Sequence, residues 1–173
     1  EKMEFFLKNI AEDEWNAEQD RGRSLKDGTD IQVAKFPEWE MEIRAYYDNW
    51  TTMLRSDIPE NVAVLRKLEH SEYDLFGLTN WSAETFPYAL ENYDFFDIFK
   101  GKIVVSGTEK LIKPDKKIWE VLLERYHLKP EESVFIDDNP KNIEVAKMLG
   151  FITVHITEGT NLAEELRSLG IRF

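Results

Sequence analysis

The run Val134-Phe135-Ile136-Asp137-Asp138-Asn139-Pro140-Lys141-Asn142-Ile143 decides how this chain is read. Three apolar residues make a short buried strand. Two adjacent carboxylates stand at its carboxyl end, and Asn139-Pro140 then caps and opens a helix. Neighbouring carboxylates repel unless a cation neutralises them, and hard oxygen ligands suit Mg²⁺. In isolation the same four residues also read as a plain turn and helix cap. What surrounds them has to decide.

The strand-then-helix rhythm extends through the second half of the chain. Residues 73–78 read as a strand and 83–91 as a helix; Ile103-Val104-Val105 is a second strand. A helix follows over 115–127, with Ile118, Trp119, Leu122, Leu123 and Tyr126 facing inward. After the third strand, the pattern gives a helix over 142–149 stopped by Gly150, a strand over 151–156, and a last helix marked by Leu162, Leu166 and Leu169. Alternating strands and helices imply right-handed crossovers and a parallel sheet. Ligands of such sheets sit at the carboxyl ends of the strands. Thr79-Asn80 stands there after the first strand, and Lys113-Pro114-Asp115 lies between the second strand and its helix. A threonine hydroxyl can donate to a phosphoryl oxygen. A lysine ammonium can hold phosphate and offset the charge of a nucleophile. Thr79 or Lys113 alone reads as a turn residue or a solvated side chain. In this order, on one sheet edge, the set points to phosphoryl transfer, where positioning and charge stabilisation dominate.

The first 70 or so residues read as helical. Phe5, Phe6 and Ile10 form a short apolar face. Residues 13–30 are polar, contain Gly22 and Gly28, and are expected to hold a short helix and turns. Pro37 opens the strongest helical pattern: Trp39, Ile43, Tyr46, Tyr47, Trp50, Met53 and Leu54 recur at steps of three and four, on one stripe. Pro59 starts another helix, with Val64, Leu65 and Leu68 on its buried face.

Composition closes off several function classes. The 173 residues carry 34 acidic and 22 basic side chains, a formal charge of −12 spread along the whole chain. A net acidic surface repels phosphate backbones, so nucleic acid is not an expected partner. With no cysteine, disulfide scaffolds, thiolate zinc sites and thiol nucleophiles are excluded. No apolar run approaches the roughly 20 residues of a membrane helix. These features together give the expectation of a cytoplasmic protein, a monomer or weak homo-oligomer. The histidines, His70, His127 and His155, share no ligand spacing.

Leu78-Thr79-Asn80, Ile112-Lys113-Pro114-Asp115 and the 134–143 run resemble motifs II, III and IV of the haloacid dehalogenase superfamily, in that order, over about residues 60–157. The preceding helical region resembles the helical cap of its subfamily I, and the chain is similar to small bacterial sugar-phosphatase-like members. The resemblance implies a Rossmann-like α/β core over 58–173 flanked by helices, beneath a helical cap over 1–57. It implies that Thr79 binds the transferring phosphoryl group, that Asn80 shapes its pocket, and that Lys113 steadies nucleophile and phosphoryl charge. Asp137 and Asp138 would hold Mg²⁺, Asp138 directly and Asp137 through water, with Asn142 supporting their loop. Asp20 and Arg21 would be cap contacts to a substrate. The implied activity is Mg²⁺-dependent hydrolysis of a small phosphorylated metabolite, such as a sugar phosphate. The paired acids disfavour a metal-independent dehalogenase.

The family's motif I, Asp-x-Asp after an apolar first strand, supplies the nucleophile and the general acid–base. It has no match here. Asp27-Gly28-Thr29 resembles only its tail, and Arg23-Ser24-Leu25-Lys26 is no buried strand. The expectation is therefore a central strand that would lie before Glu1, and a chain inactive by itself. A non-catalytic remnant or interaction module is the alternative.

Overall fold

The computed structural model describes residues 2–54 and 56–173. Four helices come first: α1 (Lys2–Asn9), α2 (Asp13–Asp20), α3 (Leu25–Lys35) and α4 (Glu40–Asp48). Their buried residues Phe6, Ile10, Ala11, Trp15 and Ile43 form one cluster, walled by Val33, Phe36, Trp39, Tyr46 and Tyr47. Every member lies between positions 6 and 47. Gln32 is buried beside it and donates its side-chain amide to Ile10 O.

Two expectations for this region change. The 13–30 segment, expected to hold a short helix and turns, holds α2 and the start of α3, a full helix that runs on to Lys35. Ser24 caps it by accepting from Asp27 N, and Gly28 sits inside it, close against the Gln19 side chain. The stripe over residues 39–54 is broken: a 3₁₀ turn at Pro37–Trp39, α4, then a second 3₁₀ turn at Trp50–Met53. Asn49 ends α4, its side-chain amide donating to Ala45 O and its own carbonyl accepting from Thr52. That local bonding outcompetes the next helical turn. Met53 consequently ends up half exposed.

From α5 (Pro59–Glu69) the chain alternates as read. The elements are β1 (Gly77–Thr79), α6 (Phe86–Asn92), β2 (Ile103–Val105), α7 (Ser106–Glu109), α8 (Lys117–Tyr126), β3 (Val134–Asp137), α9 (Pro140–Met148), β4 (Ile152–His155) and α10 (Leu162–Ser168). The first strand is shorter than expected and begins at Gly77. The polar 71–74 segment stays outside the ladder. The core is built on α8 and α9, where Ile118, Trp119, Leu122, Ile143 and Ala146 pack with Val104, Phe135 and Phe151. Beyond it, α5 and α10 cover β4 through Val64, Leu68, Val154 and Leu166. On the far side α6 covers β2 through Phe86, Ala89 and Val105.

All strand pairing is parallel. β1 pairs with β2 with Thr79 opposite Val105, and β3 pairs with β4 with Asp137 opposite His155. Among the described residues the two pairs do not hydrogen-bond to each other. A cleft of about 680 Å³ lies between them, lined by Phe76 and Leu78 on one flank and Val134 and Ile136 on the other. Ile136 is 38% exposed for this reason, unusual for a strand of a parallel sheet. The cleft separates the two strands that carry Thr79 and Asp137.

Trp119 has no exposed surface, and its indole Nε1 has no hydrogen-bond partner among the described residues. Trp119→Ala is expected to cost about 3–5 kcal/mol. Trp119→Phe is expected to cost much less, since no hydrogen bond is lost with the indole. Urea unfolding of the two variants checks the ordering.

Candidate active site

Lys113 stands at the mouth of the cleft and binds both walls. Its ammonium donates to Leu78 O at 2.8 Å, within β1, and pairs with Asp137 Oδ2 at 2.6 Å, at the end of β3. The side chains are 9% and 6% exposed, and the ammonium lies 5.5 Å from the Phe135 ring centroid. A desolvated ion pair costs hydration on both partners, which only close geometry and further hydrogen bonds offset. Both conditions are met. Asp137 Oδ1 accepts from Asn139 N at 2.8 Å and from Asn142 Nδ2 at 2.9 Å, so the carboxylate is held by three donors.

The backbone of Lys113 is fixed as firmly as its tip. Asn80 Oδ1 accepts from Lys113 N at 2.9 Å, while Asn80 Nδ2 donates to Lys113 O at 3.0 Å. This reciprocal pair ties the loop after β1 to the turn before α8. Asn80, Lys113, Asp137 and Asn142 are thus one hydrogen-bonded group, and Thr79 directly precedes Asn80 at the end of β1. Sequence order alone could not reveal that Asn80 bridges to Lys113 or that Asn142 reaches back to Asp137.

Asp138 lies beside this knot and is exposed. Its carbonyl oxygen is 3.0 Å from His155 Nε2, a contact from β4 that the sequence reading left unassigned. A signal was present: His155 ends β4 as Asp137 ends β3, and the parallel ladder pairs those two ends. Asp137 has its oxygens committed to Lys113, Asn139 and Asn142; Asp138 keeps its carboxylate in solvent. Among the described residues no three acidic, His or Cys side chains cluster as a complete cage. Mg²⁺ needs no such cage, since it retains waters and takes one or two carboxylates together with substrate oxygens. The hard oxygens of Asp138, with Asp137 behind them, fit that requirement.

The helical region meets this edge through α2. The Asp20 carboxylate lies 3.4 Å from Asn16 Nδ2 and accepts from the backbone N–H of Ser82, two residues beyond Asn80. Burial pushes its carboxyl up to about 6, and the Ser82 bond only partly opposes this. Arg21 is not drawn to the same place; its guanidinium faces Glu18 at 3.5 Å on the exposed flank of α2. Asp27 lies in α3, at no strand end.

Residues 9–156 match the family described as haloacid dehalogenase-like hydrolase. The chain belongs to that family. A sesquiterpene phosphatase of Aspergillus oryzae is 30% identical over 128 residues, which cover 74% of this chain and 64% of that protein. A D-ribitol-5-phosphate phosphatase of Bacteroides thetaiotaomicron is 35% identical over 54 residues, 31% of this chain and 26% of the relative. The chain therefore spans less than two thirds of the length of these curated relatives. A Bacteroides thetaiotaomicron enzyme of the family, solved as a magnesium complex, superposes with a TM-score of 0.76 at 22% identity, covering 96% of this chain and 86% of that one. The same enzyme solved with magnesium and inorganic phosphate gives 0.70 at 23% identity, covering 87% and 78%. This haloacid dehalogenase-like chain thus shares the Rossmann-like fold of those neighbours. Among its described residues, no helix is long and apolar enough to cross a membrane.

Two outcomes follow from the geometry of this haloacid dehalogenase-like chain. Lys113→Met strands Asp137 in a buried site and is expected to cost about 3–5 kcal/mol. Asp137→Asn in the same chain should recover part of it, and a double-mutant cycle in urea measures the coupling. For Asp20, the raised folded-state value means the protonated form fits the folded protein better. Its contribution is fully present below about pH 4, is lost as pH rises through about 6, and leaves a penalty at neutral pH. Asp20→Asn should therefore raise stability at pH 7.5 by about 1–3 kcal/mol and by little near pH 4. Urea midpoints across that range check it.

Proposed function

We propose that the protein containing this chain is a Mg²⁺-dependent phosphomonoesterase acting on a small phosphorylated metabolite. The observation that carries the reading is the buried Lys113–Asp137 pair, set between Thr79-Asn80 and the exposed carboxylate of Asp138. Phosphomonoester hydrolysis asks for a fixed cation facing the phosphoryl oxygens, a hydroxyl donor, and oxygen ligands for a hard metal. Lys113 would supply the first, Thr79 the second, and Asp138 with Asp137 the third. Asn80 and Asn142 would hold Lys113 and Asp137 in place. Mg²⁺, when bound, would polarise the phosphoryl oxygens and offset the charge gathering on them.

Residues 1–57 are read as a cap over a core at 58–173, with Asp20 at the contact and a sugar or comparable polar moiety as the part of the substrate nearest the cap. The names of two relatives, one a sugar-alcohol phosphate phosphatase and one a sesquiterpene phosphatase, support phosphate esters as the class while differing in the organic group. The nucleophile is read as a carboxylate outside residues 1–173, since no Asp-x-Asp follows an apolar strand within them. It would displace the alcohol from phosphorus to give an aspartyl-phosphate, which water would then hydrolyse. Cytoplasmic placement and a monomeric or weakly associating state complete the reading.

Hydrolysis of p-nitrophenyl phosphate tests it. The protein containing this chain should turn over only with Mg²⁺ and lose roughly 100-fold or more in Asp138→Ala. Residues 1–173 alone should show no such turnover. Metal-independent halide release from a haloacid overturns the phosphatase reading. Robust Mg²⁺-dependent turnover by residues 1–173 overturns the assignment of the nucleophile.

A further inference from the structure

Ser106 opens α7 directly after β2, has no exposed surface, and belongs to none of the motifs. Its hydroxyl accepts from Trp81 N at 2.8 Å. Its proton points to Asp20 O at 2.5 Å, with Trp81 O more distant at 3.3 Å. The next residue completes the grip, since Gly107 N donates to Trp81 O at 3.1 Å. The Trp81 peptide is therefore held on both edges by Ser106-Gly107, immediately after Thr79-Asn80.

The contact also tolerates no bulk. A Cβ at Gly107 would lie 2.3 Å from Ala83 N and 2.8 Å from Trp81 O, which the backbone cannot yield. Gly22 meets the same point from the helical side: its φ is +103°, and a Cβ there would lie 2.8 Å from Gly107 O. Two glycines thus let the backbone after α2 and the backbone of α7 approach the loop after β1. The serine hydroxyl fills the remaining polar space. Trp81 N–H, Ser106 O–H and Asp20 C=O form one donor chain from the site loop to the helical region.

We propose that Ser106 is a positioning residue that sets the Thr79-Asn80 turn for phosphate and transmits the seating of α2 to it. The phosphate half of this proposal rests on the function proposed above. The tether half stands on the hydrogen bonds alone.

Amide exchange and titration with Mg²⁺ and inorganic phosphate, both followed by NMR on the protein containing this chain, test the two halves separately. In the wild type the Trp81 amide should be protected; fast exchange there overturns the proposal without any variant. Ser106→Ala should speed Trp81 exchange at least tenfold and weaken phosphate binding, read at the Thr79 and Asn80 amides, by roughly five- to tenfold. Ser106→Thr, which keeps the hydroxyl, should restore both. Ser82→Ala removes a comparably buried hydroxyl that serves Glu84 N within its own loop, and should move neither. Equal effects from Ser106→Ala and Ser82→Ala overturn the proposal. If phosphate leaves Thr79 and Asn80 unmoved in the wild type, the phosphoryl-site reading fails, and the Trp81 exchange rates alone decide the tether.

Discussion

The Lys113–Asp137 ion pair is the interaction on which the geometry of the edge depends. Its two partners come from opposite sides of a cleft, and the ammonium also takes the carbonyl of Leu78 in β1. One cation therefore fixes the separation of β1 and β3, which share no ladder bond. Asn80 and Asn142 each act on one end of this pair, the first through the Lys113 backbone and the second through the Asp137 carboxylate. An apolar contact could fill the same space, but it could not fix the direction of each donor to a few tenths of an ångström. That directional control is what a charged pair gives in return for its desolvation.

The same economy of space governs how the helical region meets the core. Its own cluster is aromatic and self-contained, with Trp15, Tyr46 and Tyr47 packed ring against ring. Where the end of α2 and the start of α3 face the loop after β1 and α7, the contact is polar and backbone-rich: Asp20 to Ser82, Ser106 to Asp20, Leu25 N to Glu84. Polar seams of this kind hold orientation without burying much apolar surface. Asp20 shows the cost. Its carboxyl is partly desolvated with a single backbone donor opposing the effect, so its protonation state and the fit of this contact are linked.

Much of the core was legible in the sequence because its signals are local. Val134-Phe135-Ile136 is a strand on composition alone. Asn139-Pro140 marks a helix start through capping and a fixed φ, and Gly150 marks its end with a positive φ. The stripe Ile118, Trp119, Leu122 is buried as its spacing requires. The helical region was less legible. Gly28 and several polar residues argued for a short helix and turns over 13–30, yet Ser24 capping and packing of α3 on α2 and α4 outweigh one glycine. The 39–54 stripe met the opposite fate. Its periodicity was sound, but Asn49 bonds back to the preceding turn and breaks the helix that the apolar spacing favoured.

For the site, the sequence by itself determined the chemical inventory: a hydroxyl, an amide, an ammonium and paired carboxylates, each just past a strand. Residue type and short-range order are enough for that, because strand ends follow from local pattern. Only the tertiary structure decided which of them touch. Sequence separations of 33 residues between Asn80 and Lys113, and of 86 between Asp20 and Ser106, leave no trace in local propensity. They are set by parallel crossovers that return each strand end to one edge. The three donors that hold the Asp137 carboxylate, and the exposure of Asp138, likewise come from the tertiary structure. The two side chains are identical and adjacent in sequence, and only the packed neighbours make one a buried partner and leave the other in solvent.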